Sequence, residues 1–245
     1  MAKIRLDQLM TDRGLTESRS RAQAVIMAGK VFSGERRLDK PGLGVDPDIA
    51  LELRGQDHPW VSRGGLKLMR AIESFALHCE GKVAVDIGAS TGGFTDVLLA
   101  HEAAKVYAVD VGQGQLAWRL RQNPKVTVLE RTNARYLSRA EIPEPLDLVV
   151  CDASFIGLET VLPAAMALTA GQATLVALIK PQFEVGKGRV GKGGVVRDPA
   201  LHQEVCRRIT LWLAAQPGWH VQGLVESPIK GPDGNIEFLV VGHKS

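Results

Sequence analysis

The chain has 245 residues, of which 45% are hydrophobic and 23% charged. This length allows one large domain, or a medium domain joined to a small one, and the composition is that of an ordinary globular protein. The net charge of +3 says little, but residues 1–37 hold eight Lys and Arg against four Asp and Glu, whereas residues 38–61 hold two against five. The basic excess at the N-terminus is a mild indication of nucleic-acid binding.

Signals for secretion, membrane insertion and metal binding are missing. The N-terminus lacks the apolar core of a secretory signal, and the most apolar stretch, residues 161–179, is interrupted by Pro163, Gly171 and Gln172. The three cysteines are far apart, and neither they nor the six histidines follow a metal-binding spacing. We therefore expect a cytoplasmic protein with reduced cysteines, no metal and no membrane association.

The first 55 residues or so predict a small α+β module. Apolar residues at helical spacing predict a first helix that ends at Gly14, and Ser18 is a suitable N-cap for a second helix that ends at Gly29. Short strands are predicted at residues 30–32 and 49–53.

This module resembles the S4 RNA-binding domain. The matching strings are Arg5-Leu6-Asp7-Gln8-Leu9-Met10, Ser18-Arg19-Ser20-Arg21-Ala22 and Val25-Ile26-Met27-Ala28-Gly29-Lys30-Val31. Charge alone favours a solvated face on a structural helix pair, but the resemblance implies RNA binding. The side chains then expected to contact RNA are Arg5, Arg19, Arg21, Lys30 and Arg36.

Residues 58–65, His-Pro-Trp-Val-Ser-Arg-Gly-Gly, form the predicted junction. Their proline, glycines and tryptophan indicate a linker of defined shape rather than a flexible tether. A helix from Leu66 to about Leu77 follows. The expected organisation is therefore an S4-like domain over residues 1–57, a linker over 58–65 and a larger domain over 66–245.

The stretch from Val83 to Phe94 reads V-A-V-D-I-G-A-S-T-G-G-F and passes from a strand through a glycine-rich turn into a helix. Such a turn presents backbone N–H groups and a helix N-terminus to a ligand. The dinucleotide pattern fails at Ser90, and the phosphate-loop pattern has Phe94 where its lysine should stand. Asp86 and Asp110, at the ends of two successive strands, suit the cationic amino acid group and the ribose hydroxyls of S-adenosylmethionine. A ligand-free turn is the alternative, which the clustered glycines disfavour.

Strand and helix patterns alternate from Val83 onward. Strands are predicted near residues 83–87, 105–109, 126–130, 147–151, 173–179, 219–225 and 236–242. The alternation predicts a mostly parallel, doubly wound sheet, and the short connection 229–235 predicts a final antiparallel hairpin. The expected fold is therefore α/β, with a small N-terminal S4-like α+β domain followed by a Rossmann-like seven-stranded methyltransferase domain.

Ligands of such sheets collect at the C-terminal ends of the strands, so the residues just beyond those ends are the expected cofactor ligands. They are Asp86, Gly88, Ala89, Ser90, Thr91, Gly92, Gly93, Phe94, Asp110, Val111, Asn133, Ala134 and Asp152. Asn133 is expected to meet the adenine edge. Asp152 and Lys180 follow neighbouring strands and are expected to face each other beside the methyl donor.

Lys67, Asp152, Lys180 and Glu237 stand where FtsJ-like ribose 2′-O-methyltransferases have a K-D-K-E tetrad. Together with the S4 module, they make the chain similar to the TlyA family of rRNA methyltransferases over nearly its full length. The strings that carry the resemblance are Ser62-Arg63-Gly64-Gly65-Leu66-Lys67-Leu68, Asp86-Ile87-Gly88-Ala89-Ser90-Thr91-Gly92-Gly93-Phe94-Thr95-Asp96, Cys151-Asp152-Ala153-Ser154-Phe155-Ile156, Ile179-Lys180-Pro181-Gln182-Phe183-Glu184 and Gly234-Asn235-Ile236-Glu237-Phe238. The junction departs from the R-x-W-V of some members, so a role of the linker in cofactor affinity stays open.

The resemblance implies S-adenosylmethionine-dependent 2′-O-methylation of a ribose in rRNA, with cytidine as the family's usual target. Lys180 is expected to take the proton of the hydroxyl, Lys67 and Asp152 to orient it, and Glu237 to fix the two lysines. A lysine acts as a base only when it is neutral. Partial desolvation and Lys67 favour a neutral Lys180, whereas Asp152 and Glu237 favour the charged form, and the sequence does not decide between them.

A glycine-rich, basic segment over residues 183–197 follows the fifth strand and is expected to neutralise RNA phosphates. The further side chains expected to contact RNA, in this segment and in the junction, are Arg63, Lys187, Arg189, Lys192 and Arg197.

Other functions stay open. Family members are often named haemolysins, which implies a membrane-active protein, but no long basic amphipathic helix is evident. A non-catalytic RNA-binding or ribosome assembly factor is disfavoured by the complete tetrad, and a dehydrogenase is disfavoured by Ser90. The expected partner is rRNA or a ribosomal subunit, without an obligatory protein partner. The particular rRNA, nucleotide, subunit and oligomeric state do not follow from the sequence.

Overall fold

The computed structural model describes residues 3–16, 18–54, 58–186, 188–231 and 233–245. The N-terminal part consists of two helices and short antiparallel strand pairs. These elements are β1 (Ile4–Arg5), α1 (Leu6–Asp12), α2 (Arg19–Met27), β2 (Val31–Ser33), β3 (Arg36–Arg37), β4 (Gly44–Val45) and β5 (Glu52–Leu53). β2 pairs with β3 and β5, and β1 pairs with β4. The predicted α+β character of this module is confirmed.

Local signals in the module act as expected. The Ser18 hydroxyl accepts a hydrogen bond from the backbone N–H of Arg21 and so caps α2, and Gly29 adopts a positive φ of 69° just beyond that helix. The strand predicted over residues 49–53 is too long, because the backbone N–H of Ile49 closes a turn onto Asp46 and only Glu52–Leu53 pairs.

The C-terminal part is built on one seven-stranded sheet. Its strands are β6 (Val83–Ile87), β7 (Lys105–Val109), β8 (Val126–Leu129), β9 (Leu146–Cys151), β10 (Thr169–Ile179), β11 (Trp219–Glu226) and β12 (Phe238–Lys244). The order across the sheet is β11-β12-β10-β9-β6-β7-β8. β6 to β10 run parallel, whereas β12 lies antiparallel between β10 and β11. The predicted Rossmann-like α/β fold with its antiparallel hairpin is therefore confirmed.

Helices cover both faces of this sheet. They are α3 (Gly64–Phe75), α4 (Gly93–Ala100), α5 (Trp118–Arg121), α6 (Leu158–Val161), α7 (Pro163–Ala167), α8 (Pro181–Glu184) and α9 (Pro199–Ala214), with 3₁₀ turns at Ala134–Tyr136 and Lys192–Gly194. Leu68 and Ile72 of α3 pack with α4 on one face, and Ile209 and Leu213 of α9 are fully buried on the other. The helix expected from Leu66 begins at Gly64, which puts Lys67 in its first turn.

The two parts of the chain touch directly. A Cβ atom on Gly14 would lie 2.9 Å from the Cα atom of Ala117, so the turn between α1 and α2 rests against the start of α5. Between the parts, a Cβ atom on Gly65 would lie 2.4 Å from Cγ of Trp60, and the backbone N–H of Val61 donates to Asp96 at 2.8 Å. The junction residues Trp60, Val61 and Gly65 are therefore packed into the fold.

No helix within the described ranges has the length and apolar character needed to cross a membrane.

Candidate active site

A cavity of about 790 Å³ opens at the C-terminal ends of β6, β9 and β10. Both parts of the chain contribute to its wall. The N-terminal module supplies Arg21, Val25 and Lys30, the junction supplies Ser62 and Arg63, and the sheet supplies the glycine turn after β6. A ligand in this cavity would therefore contact both parts at once.

Four charged side chains from separate elements meet here. Lys67, Asp152 and Lys180 line the cavity, whereas Glu237 lies outside its lining. Nζ of Lys180 lies 2.7 Å from Oδ1 of Asp152, and Nζ of Lys67 lies 3.5 Å from Oδ2 of the same carboxylate. Oε2 of Glu237 lies 2.8 Å from Nζ of Lys67. The carboxylate of Asp152 therefore bridges the two lysines, and Glu237 pairs with Lys67.

The side chains of this cluster are largely buried. The side chain of Glu237 is 1% exposed and that of Lys180 is 8% exposed. Burial opposes the charged form of Lys67, but the carboxylates of Asp152 and Glu237 outweigh it and raise the pKa of Lys67 above its ordinary value. Lys67 is therefore suited to act as a permanent cation rather than as a base.

Nζ of Lys180 has three polar partners. It forms an ion pair with Oδ1 of Asp152, and it donates to the backbone oxygen of Asp152 at 2.9 Å and to Oγ of Ser154 at 2.8 Å. These partners match in number the three N–H donors of an ammonium group. Sequence reasoning did not single out Ser154, although it stands two residues after Asp152.

Asp86 lies fully buried at the end of β6. Its Oδ2 accepts hydrogen bonds from the backbone N–H of Thr95 at 2.9 Å and from Oγ1 of Thr95 at 2.7 Å. The other oxygen, Oδ1, has no hydrogen-bond partner among the described residues, and Asp86 lines the cavity. Burial raises the pKa of Asp86 to about 7 despite the hydrogen bonds from Thr95. A buried acceptor thus remains available for a cationic or hydrogen-donating ligand.

The glycines of the turn after β6 are sterically required. Gly88 has a φ of 79°, and a Cβ atom there would lie 2.8 Å from Cα of Ala153. A Cβ atom on Gly93 would lie 2.4 Å from Oγ of Ser62. The turn therefore packs tightly against the loop after β9 on one side and the start of α3 on the other. This packing places the predicted cofactor site next to Asp152.

The predicted cofactor ligands fall into two groups. Those that line the cavity are Asp86, Gly88, Ala89, Ser90, Thr91, Gly93, Phe94 and Asp152. Those placed outside the described cavity lining are Gly92, Asp110, Val111, Asn133 and Ala134.

Members of the second group shape the neighbouring loops. Asp110 accepts hydrogen bonds from the backbone N–H of Ser90 at 2.8 Å and of Gly112 at 2.7 Å, so it ties the ends of β6 and β7 together. Val111 beside it is 72% exposed. Asn133 caps the following 3₁₀ turn, and Ala134 is buried.

The predicted RNA contacts are also spread over several places. Arg5 and Arg19 both pair with the buried carboxylate of Asp7, at 2.9 and 3.0 Å. Arg21, Lys30 and Arg63 line the cavity.

Four of the remaining predicted RNA contacts lie outside the cavity lining. Arg36, Lys192 and Arg197 are exposed, and Arg189 pairs with Glu204 at 2.6 Å. Lys187 lies outside the described residues. Sequence reasoning missed the exposed Lys230, which lines the cavity and whose only signal was its place shortly before Glu237.

The described residues contain no group of three or more His, Cys, Asp or Glu that could hold a metal ion.

Comparison with known families and proteins gives consistent matches. Residues 60–244 match the FtsJ-like methyltransferase family, and residues 4–48 match the S4 domain. The chain is 49% identical over 243 residues to the 16S/23S rRNA (cytidine-2′-O)-methyltransferase TlyA of Mycobacterium tuberculosis, covering 97% of this chain and 89% of that protein. It is 39% identical over 240 residues to Hemolysin A of Brachyspira hyodysenteriae, covering 96% of this chain and 98% of that protein.

Solved structures agree with these matches. A hemolysin-labelled protein from Streptococcus thermophilus superimposes with a TM-score of 0.77 at 43% identity, covering 100% of this chain and 90% of its own. An O-methyltransferase from Bacillus cereus superimposes with a TM-score of 0.52 at 17% identity, covering 77% of this chain and 83% of its own, which speaks for the fold alone.

Proposed function

Because the chain belongs to the TlyA family, in which an S4 domain precedes an FtsJ-like methyltransferase domain, we propose that it methylates a ribose 2′-hydroxyl in ribosomal RNA with S-adenosylmethionine. The observation that carries this proposal is the cluster of Lys67, Asp152, Lys180 and Glu237 beside the glycine turn. The first three of these side chains line a cavity that the S4 domain helps to enclose. Cytidine is the proposed target nucleoside, since it is the nucleoside in the name of the Mycobacterium tuberculosis relative.

The residues around the turn suit S-adenosylmethionine. Oδ1 of Asp86 is a buried acceptor that an ammonium group can use, and Val111 offers an uncovered apolar surface for adenine next to Asp110. Both oxygens of Asp110 accept backbone N–H groups but keep further lone pairs for ribose hydroxyls. When bound, S-adenosylmethionine would supply an electrophilic methyl carbon for the ribose oxygen, and the electron pair of the broken carbon–sulfur bond would stay on sulfur.

The four charged residues have distinct proposed roles. Lys180 is the base that removes the proton of the ribose hydroxyl, and for this it must first lose a proton of its own. Asp152 orients Lys180 and holds Lys67 at the same time. Lys67 stays charged, because the carboxylates of Glu237 and Asp152 balance its positive charge and raise its pKa. It helps to orient the hydroxyl. Glu237 keeps Lys67 in place.

RNA is proposed to bind across both domains. Asp7 holds Arg5 and Arg19 in fixed directions on the S4 domain, which suits contacts to the RNA backbone. Arg21, Lys30, Arg63 and Lys230 surround the cavity and suit the phosphates that flank the target nucleotide.

The target nucleotide must leave its stack to bring its ribose into the cavity. Phe155, which is 89% exposed and follows Ser154, offers an aromatic surface to the displaced base.

The domain division at residues 1–57, 58–65 and 66–245 is also proposed, with α3 entering the linker at Gly64 and residues 55–57 outside the described ranges. The proposed substrate is a ribosomal subunit or its rRNA, and the proposed enzyme is cytoplasmic and acts without an obligatory protein partner.

The test is methyl transfer from labelled S-adenosylmethionine to ribosomal subunits and to free rRNA by the purified protein, with the modified nucleotide mapped by mass spectrometry. Lys180→Met is expected to abolish transfer and to keep cofactor binding, whereas Lys125→Met, an exposed lysine at the far end of β8, is expected to keep both. A wild-type protein that methylates no rRNA would contradict the proposal. Liposome leakage by such a protein would favour the membrane-active alternative.

A further inference from the structure

Ser154 and Lys180 line the same cavity but differ in exposure. The Lys180 side chain is 8% exposed, whereas Ser154 is exposed. Oγ of Ser154 lies 2.8 Å from Nζ of Lys180. A substrate hydroxyl that enters the cavity therefore meets the more exposed serine hydroxyl next to the lysine nitrogen.

The other two contacts of Lys180 dictate where its lone pair must point. A neutral amine has two N–H donors and one lone pair in place of three donors. The backbone oxygen of Asp152 accepts a hydrogen bond from Nζ, and Oδ1 of Asp152 forms an ion pair with it. Neither oxygen can donate, so both favour an N–H group over the lone pair. The Ser154 hydroxyl can accept or donate, and so it is the contact that tolerates the lone pair.

The position of Ser154 is held from its C-terminal side. Phe155 has a left-handed φ of 65°, and its ring packs 4.9 Å from that of Phe183. Three residues beyond Phe155, the backbone N–H of Leu158 donates to Oε1 of Glu184 at 2.8 Å, and Arg208 holds Glu184 in turn. With Asp152 fixed on the other side by the two lysines, the loop that carries Ser154 is anchored at both ends.

We propose that Ser154 is a further catalytic residue, which passes the proton of the ribose 2′-hydroxyl to Lys180. This inference rests on the proposed function. Oγ of Ser154 accepts the ribose proton while its own proton moves to the lone pair of Lys180. The serine is neutral before and after, Lys180 becomes an ammonium, and the ribose oxygen uses the released electron pair to bond the methyl carbon. The three acceptors around Nζ then hold the ammonium as the structure has it.

The test compares single-turnover methylation of rRNA by the wild type, Ser154→Ala, Ser154→Thr and Ser138→Ala. Ser154→Ala is expected to lose about tenfold to a hundredfold in rate, because a water molecule replaces the hydroxyl only in part. Ser154→Thr restores a hydroxyl at an exposed position and is expected to recover most of the rate. Ser138→Ala removes an exposed hydroxyl that contacts Glu141 instead, and is expected to match the wild type.

Three further readouts separate a relay from a structural role. S-adenosylmethionine affinity, RNA affinity and melting temperature are expected to be equal in the wild type and Ser154→Ala. The solvent deuterium isotope effect is expected to depend on two protons in the wild type and on fewer in Ser154→Ala.

An active wild type with an equally active Ser154→Ala would overturn this inference alone. Parallel losses of binding or stability, or a threonine variant as slow as the alanine one, would also overturn it. An inactive wild type would overturn the proposed function and the inference with it.

Discussion

Glu237 and Lys67 form a buried ion pair, with Oε2 of Glu237 2.8 Å from Nζ of Lys67. The pair joins α3, which opens the methyltransferase domain, to the residue just before its last strand. Gly231 lies against the same carboxylate, since a Cβ atom there would lie 2.6 Å from Oε1 of Glu237. The last strand therefore takes part in building the site as well as in completing the sheet.

Removing the Glu237 carboxylate should destabilise the domain, because Lys67 would keep a buried charge with only Asp152 to balance it. We expect Glu237→Gln to lower the free energy of unfolding by about 3 kcal/mol. Urea unfolding followed by circular dichroism measures the change.

The double variant Glu237→Gln with Lys67→Met is the control, because it removes both charges. It should recover a substantial part of the loss. A Glu237→Gln protein as stable as the wild type would show that the pair is not desolvated in solution.

Cofactor affinity should depend on pH through Asp86. Burial raises the pKa of this carboxyl from its ordinary 3.8 to about 7, so it is largely neutral below that pH in the free protein. The charged form is the one that attracts an ammonium group. We therefore expect the affinity for S-adenosylmethionine to rise between about pH 5.5 and 7.5 and to level off above, with a proton released on binding.

Isothermal titration calorimetry in two buffers of different ionisation enthalpy measures both effects. Asp86→Asn, which can still accept the hydrogen bonds of Thr95, should bind weakly and without this pH dependence. The folded protein binds this proton more tightly than the unfolded chain, so in the absence of cofactor the contribution of Asp86 lowers stability as pH rises from about 4 to 7. A flat affinity profile would exclude Asp86 as the ammonium partner.

Gly88 should not tolerate a side chain. An alanine there meets the backbone of Ala153 at 2.8 Å and must adopt a φ of 79°. We expect Gly88→Ala to lower the free energy of unfolding by about 3 kcal/mol and to abolish cofactor binding, since strain and overlap add.

Gly81→Ala is the matched control, because Gly81 also has a positive φ, of 69°, but a Cβ atom there has no described atom within 4 Å. It should cost about 1 kcal/mol and leave cofactor binding intact. Equal effects of the two substitutions would mean that backbone strain alone matters at the turn.

Neutralising the basic face of the S4 domain should weaken RNA binding in a salt-dependent way. We expect Arg19→Gln with Arg21→Gln to reduce affinity for rRNA and to flatten the slope of log affinity against log salt by about 1 to 2, because phosphate contacts release counterions. Asp7 keeps Arg5 and Gln23 as partners, so the domain should stay folded.

Filter binding across a salt series measures the slope. Lys125→Gln with Arg207→Gln changes the net charge equally at exposed positions that lie outside the cavity lining, and should leave the slope unchanged. Identical slopes for both double variants would contradict RNA binding by α2.

The sequence by itself determined the features that depend on neighbouring residues. Alternating apolar patterns predicted the strands of the sheet, Ser18 predicted the start of α2, and the short connection before Glu237 predicted the final hairpin. Each of these reports the conformational preference of a short segment, which the segment keeps wherever it packs. The ends of the elements follow less directly from the sequence. For example, α3 begins at Gly64 rather than at Leu66, because the start of a helix also depends on the residues that pack against it.

Only the tertiary structure decided which groups the side chains of the site contact and which of their atoms face the cavity. It placed Ser154 against Lys180, left one oxygen of Asp86 unpaired toward the cavity, and put Lys230 on the cavity wall. It also gave Asp110 two backbone N–H partners and left Val111 uncovered. These contacts join segments that are distant in the chain, so they depend on strand order, register and loop direction. A pattern of neighbouring residues carries little information about such distances, because hydrogen bonds and burial are set by whatever the fold brings together.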